Sequence, residues 1–274
     1  MKKKLTLLLL GLTAMVTTQA QMGMHIGFHG QFNSIWIINQ NSYTFSKMDY
    51  DYKYGALGGI ALGYNYEQNF GVQVELNFAF MGQDYSDIIR DFSNAVNPDN
   101  PNQVYPVLTY RTVDLTYLQL PIMFKYMEGE KKDAIKYHML GGIQFSALLG
   151  ADQNYSADIN DNEQIVQIPQ SAAPQSGVPA FANAGGIIAE TDYFKKLDVG
   201  VIFDIGVDMY VNDKTYFTAA LRGHYGLLDI NANDTRDLNP AKGENIYRSS
   251  HNAFVGINIG LHFLLPDVVI GGSK

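Results

Sequence analysis

Cysteine is absent from this 274-residue chain, so no disulfide can staple its fold. Residue 21 is glutamine, and without a cysteine there a lipid-anchored N-terminus is excluded. Basic residues are scarce as well: 19 Lys and Arg against 27 Asp and Glu give a net charge of -8. Nucleic acid is therefore excluded as a partner, because phosphate binding needs clustered Lys and Arg. After the first 20 residues no run of 18 apolar residues occurs, which argues against membrane-spanning helices. Phosphate-binding glycine loops, nucleophile elbows and helical zinc-binding histidine pairs are missing too, so the sequence offers no catalytic, cofactor-binding or metal-binding motif.

What is present begins with Lys2, Lys3 and Lys4, then an apolar stretch from Leu5 to Val16, then small and polar residues ending Thr18-Gln19-Ala20. That order predicts a cleavable secretory signal over residues 1–20, whose apolar run is too short to cross a bilayer as a helix. Cleavage leaves residues 21–274 as one domain, with 16 basic and 27 acidic residues.

The 18 Tyr, 15 Phe and 26 Gly, with 17% charged residues, favour many short strands separated by turns. Alternation is clearest from Asp198 to Val211, where Val199, Val201, Phe203, Ile205, Val207, Met209 and Val211 take every second position. Comparable segments run from Met24 to Ile38, Gly55 to Tyr66, Phe70 to Met81, Tyr110 to Tyr126, Ile135 to Leu149, Thr215 to Leu228 and His251 to Phe263. Their length suits tilted transmembrane strands better than the five or six residues common in soluble sheets. The expected fold is all-β: an eight-stranded antiparallel up-and-down transmembrane β-barrel, closed because lipid offers no partner to a free edge.

Connections predict an orientation. Glu67 to Asn69, Met127 to Ala134 and Asn212 to Lys214 are short, whereas Asn39 to Tyr54, Gly82 to Thr109, Gly150 to Leu197 and Asp229 to Ser250 are long. Strict alternation of short and long is the habit of outer-membrane barrels, with short periplasmic turns and long outer loops. Both termini are then periplasmic. Aromatics agree: Tyr64, Tyr66, Phe70, Phe124, Tyr126, Tyr137, Phe217 and Phe263 lie near short-turn ends, and Trp36, Phe80 and Phe145 toward the other. Bilayer interfaces select two such belts.

The segment Tyr117-Leu118-Gln119-Leu120-Pro121-Ile122-Met123-Phe124-Lys125-Tyr126 resembles the Leu-x-Ile-Pro-Leu-x-x-Lys-Tyr signature of the PorT-like outer-membrane β-barrel family of Bacteroidetes. Gln19-Ala20-Gln21, Phe70-Gly71-Val72-Gln73-Val74-Glu75-Leu76 and Asp204-Ile205-Gly206-Val207 resemble further family habits. Gln119 stands where that family commonly has Glu, and the chain continues past Phe263 to Lys274. The resemblance implies an outer-membrane barrel, in some members part of a larger secretion or uptake assembly. Pro121, inside a closed sheet, predicts a bulge that bends its strand.

Polar parity predicts a lumen charge network of Glu75, Asp198, Asp204, Asp208, Arg111, Lys125, Lys136 and Arg222, balanced in sign. Gln31, Asn33, Gln73, Asn77, Gln119, Gln144 and Asn258 fill the same space. An eight-strand interior is only just wide enough for side chains, so these groups are expected to plug it. His25, His29, His138, His224 and His262 also point inward, as neutral members of a polar network. His25 and His29 lie about 13 Å apart along a strand, too far to share a metal ion directly. Asp158, Asn160, Asp161 and Glu163 lack calcium-loop spacing and predict a solvated acidic loop. Pro169 to Pro179 predicts an extended segment open to a ligand or partner.

The expected role is structural or partner- and ligand-binding, with outer-membrane lipid as the surround and protein partners met through outer loops or periplasmic turns. A narrow, porin-like conduit for ions or small solutes is the alternative, and a rim-located enzyme a third.

Overall fold

The computed structural model describes residues 23–38, 49–89, 96–97, 100–104, 107–129, 133–161, 164–167, 187–189, 194–232 and 249–265. The signal over residues 1–20 and the segment from Pro169 to Pro179 lie outside them. None of the described residues is helical. Eight long strands form the wall: β1 (Gly23–Ile38), β2 (Lys53–Asn65), β3 (Phe70–Ile89), β4 (Val107–Glu128), β5 (Ile135–Asp161), β6 (Leu197–Asn212), β7 (Thr215–Gly226) and β8 (His251–Leu264). Each pairs antiparallel with its sequence neighbours, and β1 pairs with β8, so the sheet closes on itself without an edge.

Period-two side-chain alternation sorts the residues between two environments. In β6, Val201, Phe203, Ile205 and Met209 face out, while Ile202, Asp204 and Asp208 are buried inside. Phe28, Phe32, Ile257 and Ile259 are more than half exposed on the outer face, whereas Asp204 and Arg222 are each 1% exposed within. A water-soluble barrel would reverse this distribution; a bilayer selects it. Replacing Ile205 by arginine, near mid-strand on the outer face, is expected to cost about 2 to 4 kcal/mol when the barrel is unfolded by urea from vesicles. An unchanged midpoint would mean that this face does not meet lipid.

Tyr66, Phe70, Phe124 and Tyr126 contact one another at the short-turn end, with ring centroids 5.4 to 6.5 Å apart. Gly23 pairs with Asn65, and His25 with Leu264, so both ends of the described barrel lie at that end. The β6–β7 hairpin keeps one register from Gly200/Gly226 to Tyr210/Tyr216, with Asp204 opposite Arg222, then shifts so that Asn212 pairs with Thr215. A two-residue turn therefore replaces the expected three, and Val211 is the extra residue.

Three expectations need correction. Pro121 carries no bulge. Its ladder with β3 lapses between Val74/Ile122 and Asn77/Gln119, yet the register is the same on both sides, as a missing amide donor without an inserted residue requires. The irregularity falls at Thr116/Tyr117, where Leu149 is the extra residue in β5.

Secondly, much of the expected long loops is strand: β3 extends to Ile89, β4 begins at Val107 and β5 extends to Asp161. Across these extensions and the adjoining strand ends alternation persists with its sense inverted, because Met81, Tyr85, Val113 and Leu115 are buried inside while Asp84, Asp114 and Asp152 face outward. Thirdly, Asp158, Asn160 and Asp161 stand in a hairpin with Gln164–Gln167 rather than an open loop. Glu163 lies outside the described residues.

Candidate functional site

The lumen is layered. At the short-turn end, Tyr216 stacks on His262 with centroids 4.7 Å apart, and His25 packs edge-on against both. Lys125 Nζ lies 5.3 Å from the Tyr216 ring centre and Lys136 Nζ 5.2 Å from that of Tyr210, contacts of cation–π range.

Above this floor sits a network of ion pairs. Arg222, on β7, donates from Nε to Asp204 Oδ2 at 2.8 Å, and from Nη1 and Nη2 to Glu75 at 2.7 and 2.9 Å. The second pairing is bidentate and spans the lumen, which adds directional constraint to the charge attraction. Gln73 and Asn77 flank Glu75 on β3 and donate to its two oxygens at 2.7 and 3.0 Å. Lys125 donates to Asp208 Oδ2 at 2.7 Å, and the Thr218 hydroxyl to Asp208 Oδ1 at 2.7 Å.

His138 joins the two halves of the network. Its Nε2 is 3.1 Å from Asp204 Oδ1 and its Nδ1 is 3.0 Å from Asp208 Oδ1. Only the imidazolium carries a hydrogen on both nitrogens, and in that form three cations, Arg222, Lys125 and His138, match three carboxylates. His29 stands beside Glu75, with Nε2 3.4 Å from Oε2 and Nδ1 3.0 Å from Asn258 Oδ1. These groups surround a cavity of about 10 Å³ lined by His29, Glu75, Lys125, His138, Arg222 and His262, among others. That is room for about one water molecule.

Toward the long-loop end the lining changes. Asp198 is buried on β6 and accepts from Asn252 Nδ2 at 3.2 Å, while Asn252 also donates to the Tyr117 hydroxyl at 3.1 Å. Among the described residues Asp198 forms no ion pair, so it does not belong to the balanced network in which the sequence grouped it. His251 and the backbone amides of Val199 and Leu228 lie near its carboxylate. Arg111 is in β4, but its side chain lies outside the described residues. His224 stacks on Phe254 at 5.1 Å, and among the described residues neither of its nitrogens has a hydrogen-bond partner.

The outermost layer is apolar. Ile35, Ile37, Met81, Tyr85, Val113, Leu115 and Phe254 form one buried cluster with Phe194 and Ile230. Phe194 and Ile230 come from the segments before β6 and after β7, which fold together: Phe194 bridges Asn231, and Lys195 N donates to Ile230 O at 2.7 Å. Ile230 N donates to Ser250 O at 2.9 Å, and Asp229 Oδ1 accepts from the amides of Asn231 and Ser250.

Sequence parity missed this apolar cap, because it assumed one polarity for the whole inner face. It also missed the role of inward glycines. A Cβ at Gly63 would overlap the His25 ring, one at Gly27 the His262 ring and one at Gly200 the His224 ring. Gly63 pairs directly with His25, and Gly27 with His262. The readable signal is a glycine directly across from His25, His29, His138 and His262, whereas His224 faces Ile202 and Phe254 and has Gly200 two residues along from its β6 partner.

Residues 17–232 match the family described as outer membrane protein beta-barrel domain. Among solved structures, the chain is similar to the outer membrane protein OprG from Pseudomonas aeruginosa, with 11% identity, 91% of this chain and 99% of that chain covered, and a TM-score of 0.40. It is similar to Neisserial surface protein A at 9% identity, over 90% of this chain and 100% of that one, with a TM-score of 0.36. The attachment invasion locus protein Ail of Yersinia pestis, in complex with the heparin analogue sucrose octasulfate, is 10% identical over 88% of this chain and 100% of its own, with a TM-score of 0.36. No curated protein matches the chain.

Proposed function

The chain belongs to the outer membrane protein beta-barrel domain family, and from that premise we propose that it is a closed-lumen barrel acting by structure or by binding through its outer loops, without catalysis. One observation carries this reading: buried side chains occupy the inner face from the Tyr216–His262 floor, through the Arg222 network, to the cap of Phe194 and Ile230. A continuous water column is incompatible with such packing. The resemblance around Pro121 to Lys125 supports membership of the PorT-like group of Bacteroidetes, with service in a secretion or uptake assembly as its corollary.

In planar bilayers the purified protein is expected to give no steady single-channel current. Sustained ohmic steps from the intact chain would reject the closed reading and favour a conduit.

The proposed topology has residues 1–20 removed as a signal, both mature termini in the periplasm and the long connections outside. The basis is the alternation of short and long connections, together with the position of Gly23 and Leu264 at the short-turn end. Single cysteines at Gln175 and Asp213 provide the check on whole cells with an impermeant thiol reagent. Labelling is expected at Gln175 and protection at Asp213; the opposite pattern would invert the topology.

A further inference from the structure

We propose that the lumen layer around Asp198 binds a monovalent alkali-metal cation, with sodium as the probe, through Asp198 and the side-chain amide oxygens of Gln119, Gln144 and Asn252. Asp198 is 3% exposed, yet it has no ion pair among the described residues and its Oδ1 has no hydrogen-bond donor. The Asn252 amide donates to its Oδ2, and the amides of Val199 and Leu228 and the His251 ring lie near the carboxylate. None of these is a fixed cation, and a buried carboxylate is disfavoured as the ion unless a positive charge joins it. Glu75, Asp204 and Asp208, the buried acids of the charge network, each have one.

The neighbours point to the same occupant. Among the described residues Gln119 Oε1, Gln144 Oε1 and Asn252 Oδ1 are acceptors without donors, on residues at most 2% exposed. Register groups them: Asp198 pairs with Ser146, and Ser146 with Gln119, while Gln144 pairs with Gly200 two residues along. Directly paired residues have Cβ atoms about 4.5 to 5.5 Å apart. Asn252 reaches Asp198 from β8 past Gly226, where a Cβ would crowd the Asp198 carboxylate. The Asn252 amide is oriented by donating to Asp198 and Tyr117, which leaves its oxygen free to ligate.

Charge and valence choose among occupants. A proton on Asp198 would satisfy one of these oxygens, and a water two. A hard cation seated among them would satisfy all four at once, since oxygen ligands are its preference. A divalent ion would leave an excess positive charge against a single carboxylate, whereas a monovalent ion is neutralised.

The test uses the full mature chain refolded in detergent micelles, with thermal unfolding followed through Trp36, the single tryptophan. Sodium chloride is compared with potassium chloride and N-methylglucamine chloride at constant ionic strength. Sodium is expected to raise the midpoint saturably, by about 5 °C at a hundredfold excess over its dissociation constant, with potassium saturating at higher concentration. Asp198→Asn should abolish the difference between sodium and N-methylglucamine. Gln144→Leu, which keeps the carboxylate, should shift sodium saturation to higher concentration, and it carries the test if Asp198→Asn does not fold. Equal midpoints for the wild-type protein in sodium and N-methylglucamine would overturn the proposal, as would an undiminished sodium effect in a folded Asp198→Asn barrel.

Discussion

Replacing Arg222 with glutamine is expected to destabilise the barrel by about 3 to 5 kcal/mol, because it leaves two buried carboxylates without their shared cation. Arg222 spends its Nε on Asp204 and both terminal nitrogens on Glu75, at 2.7 to 2.9 Å. Asp204→Asn should cost less, since Arg222 keeps its bidentate pairing with Glu75 and the removed charge was one of three. Combining Asp204→Asn with Arg222→Gln should recover part of the Arg222→Gln loss, because only Glu75 is then unpaired. A double-mutant cycle on urea unfolding from vesicles measures this coupling. Strict additivity would mean that the two side chains do not interact, against both the register of the β6–β7 hairpin and the contact distances.

Gly142→Ala is the second large effect, expected at about 3 kcal/mol, at the upper end of the overpacking range. Its Cβ would overlap the carbonyl oxygen and carbon of Ile122 and the Cα of Met123, all backbone atoms of β4 that no rotamer change can move aside. The adjacent Gly141 faces the other way, with nothing within 4 Å of the position its Cβ would take. Gly141→Ala should therefore stay within about 0.5 kcal/mol of wild type. Urea midpoints for the two variants make the comparison internal to one strand. Equal costs would contradict the assignment of Gly142 to the lumen and Gly141 to the outer face.

Local pattern and global closure divide what was legible. The eight strands follow from alternation, and the Asp204–Arg222 pairing follows from counting back from a tight turn, because hairpin register is local. Glu75 and Arg222 are 147 residues apart on strands that do not pair, and their contact depends on how the closed sheet brings opposite walls together. The same holds for Tyr117 and Asn252, 135 residues apart. No count along the chain can supply such partners.

The inverted upper section shows the limit of parity itself. The outward apolar stripe ends at Phe80 in β3 and at Leu149 in β5, yet alternation continues beyond both, with Tyr85 and Ala151 turned inward. A strand leaving lipid exchanges the polarity of its two faces, since water then meets the outer side and the inner side can become an ordinary apolar core.

Sequence by itself therefore determined the strand count, the alternation that sorts side chains between two faces, the antiparallel order and the register of the shortest hairpin, all of which rest on neighbours within a few residues. Only the tertiary structure decided which lumenal charges meet, that Asp198 stands apart from them, and that Phe194 and Ile230 cap the interior. Those outcomes depend on closure of the barrel, which couples strands far apart in the chain through a space that none of them defines alone.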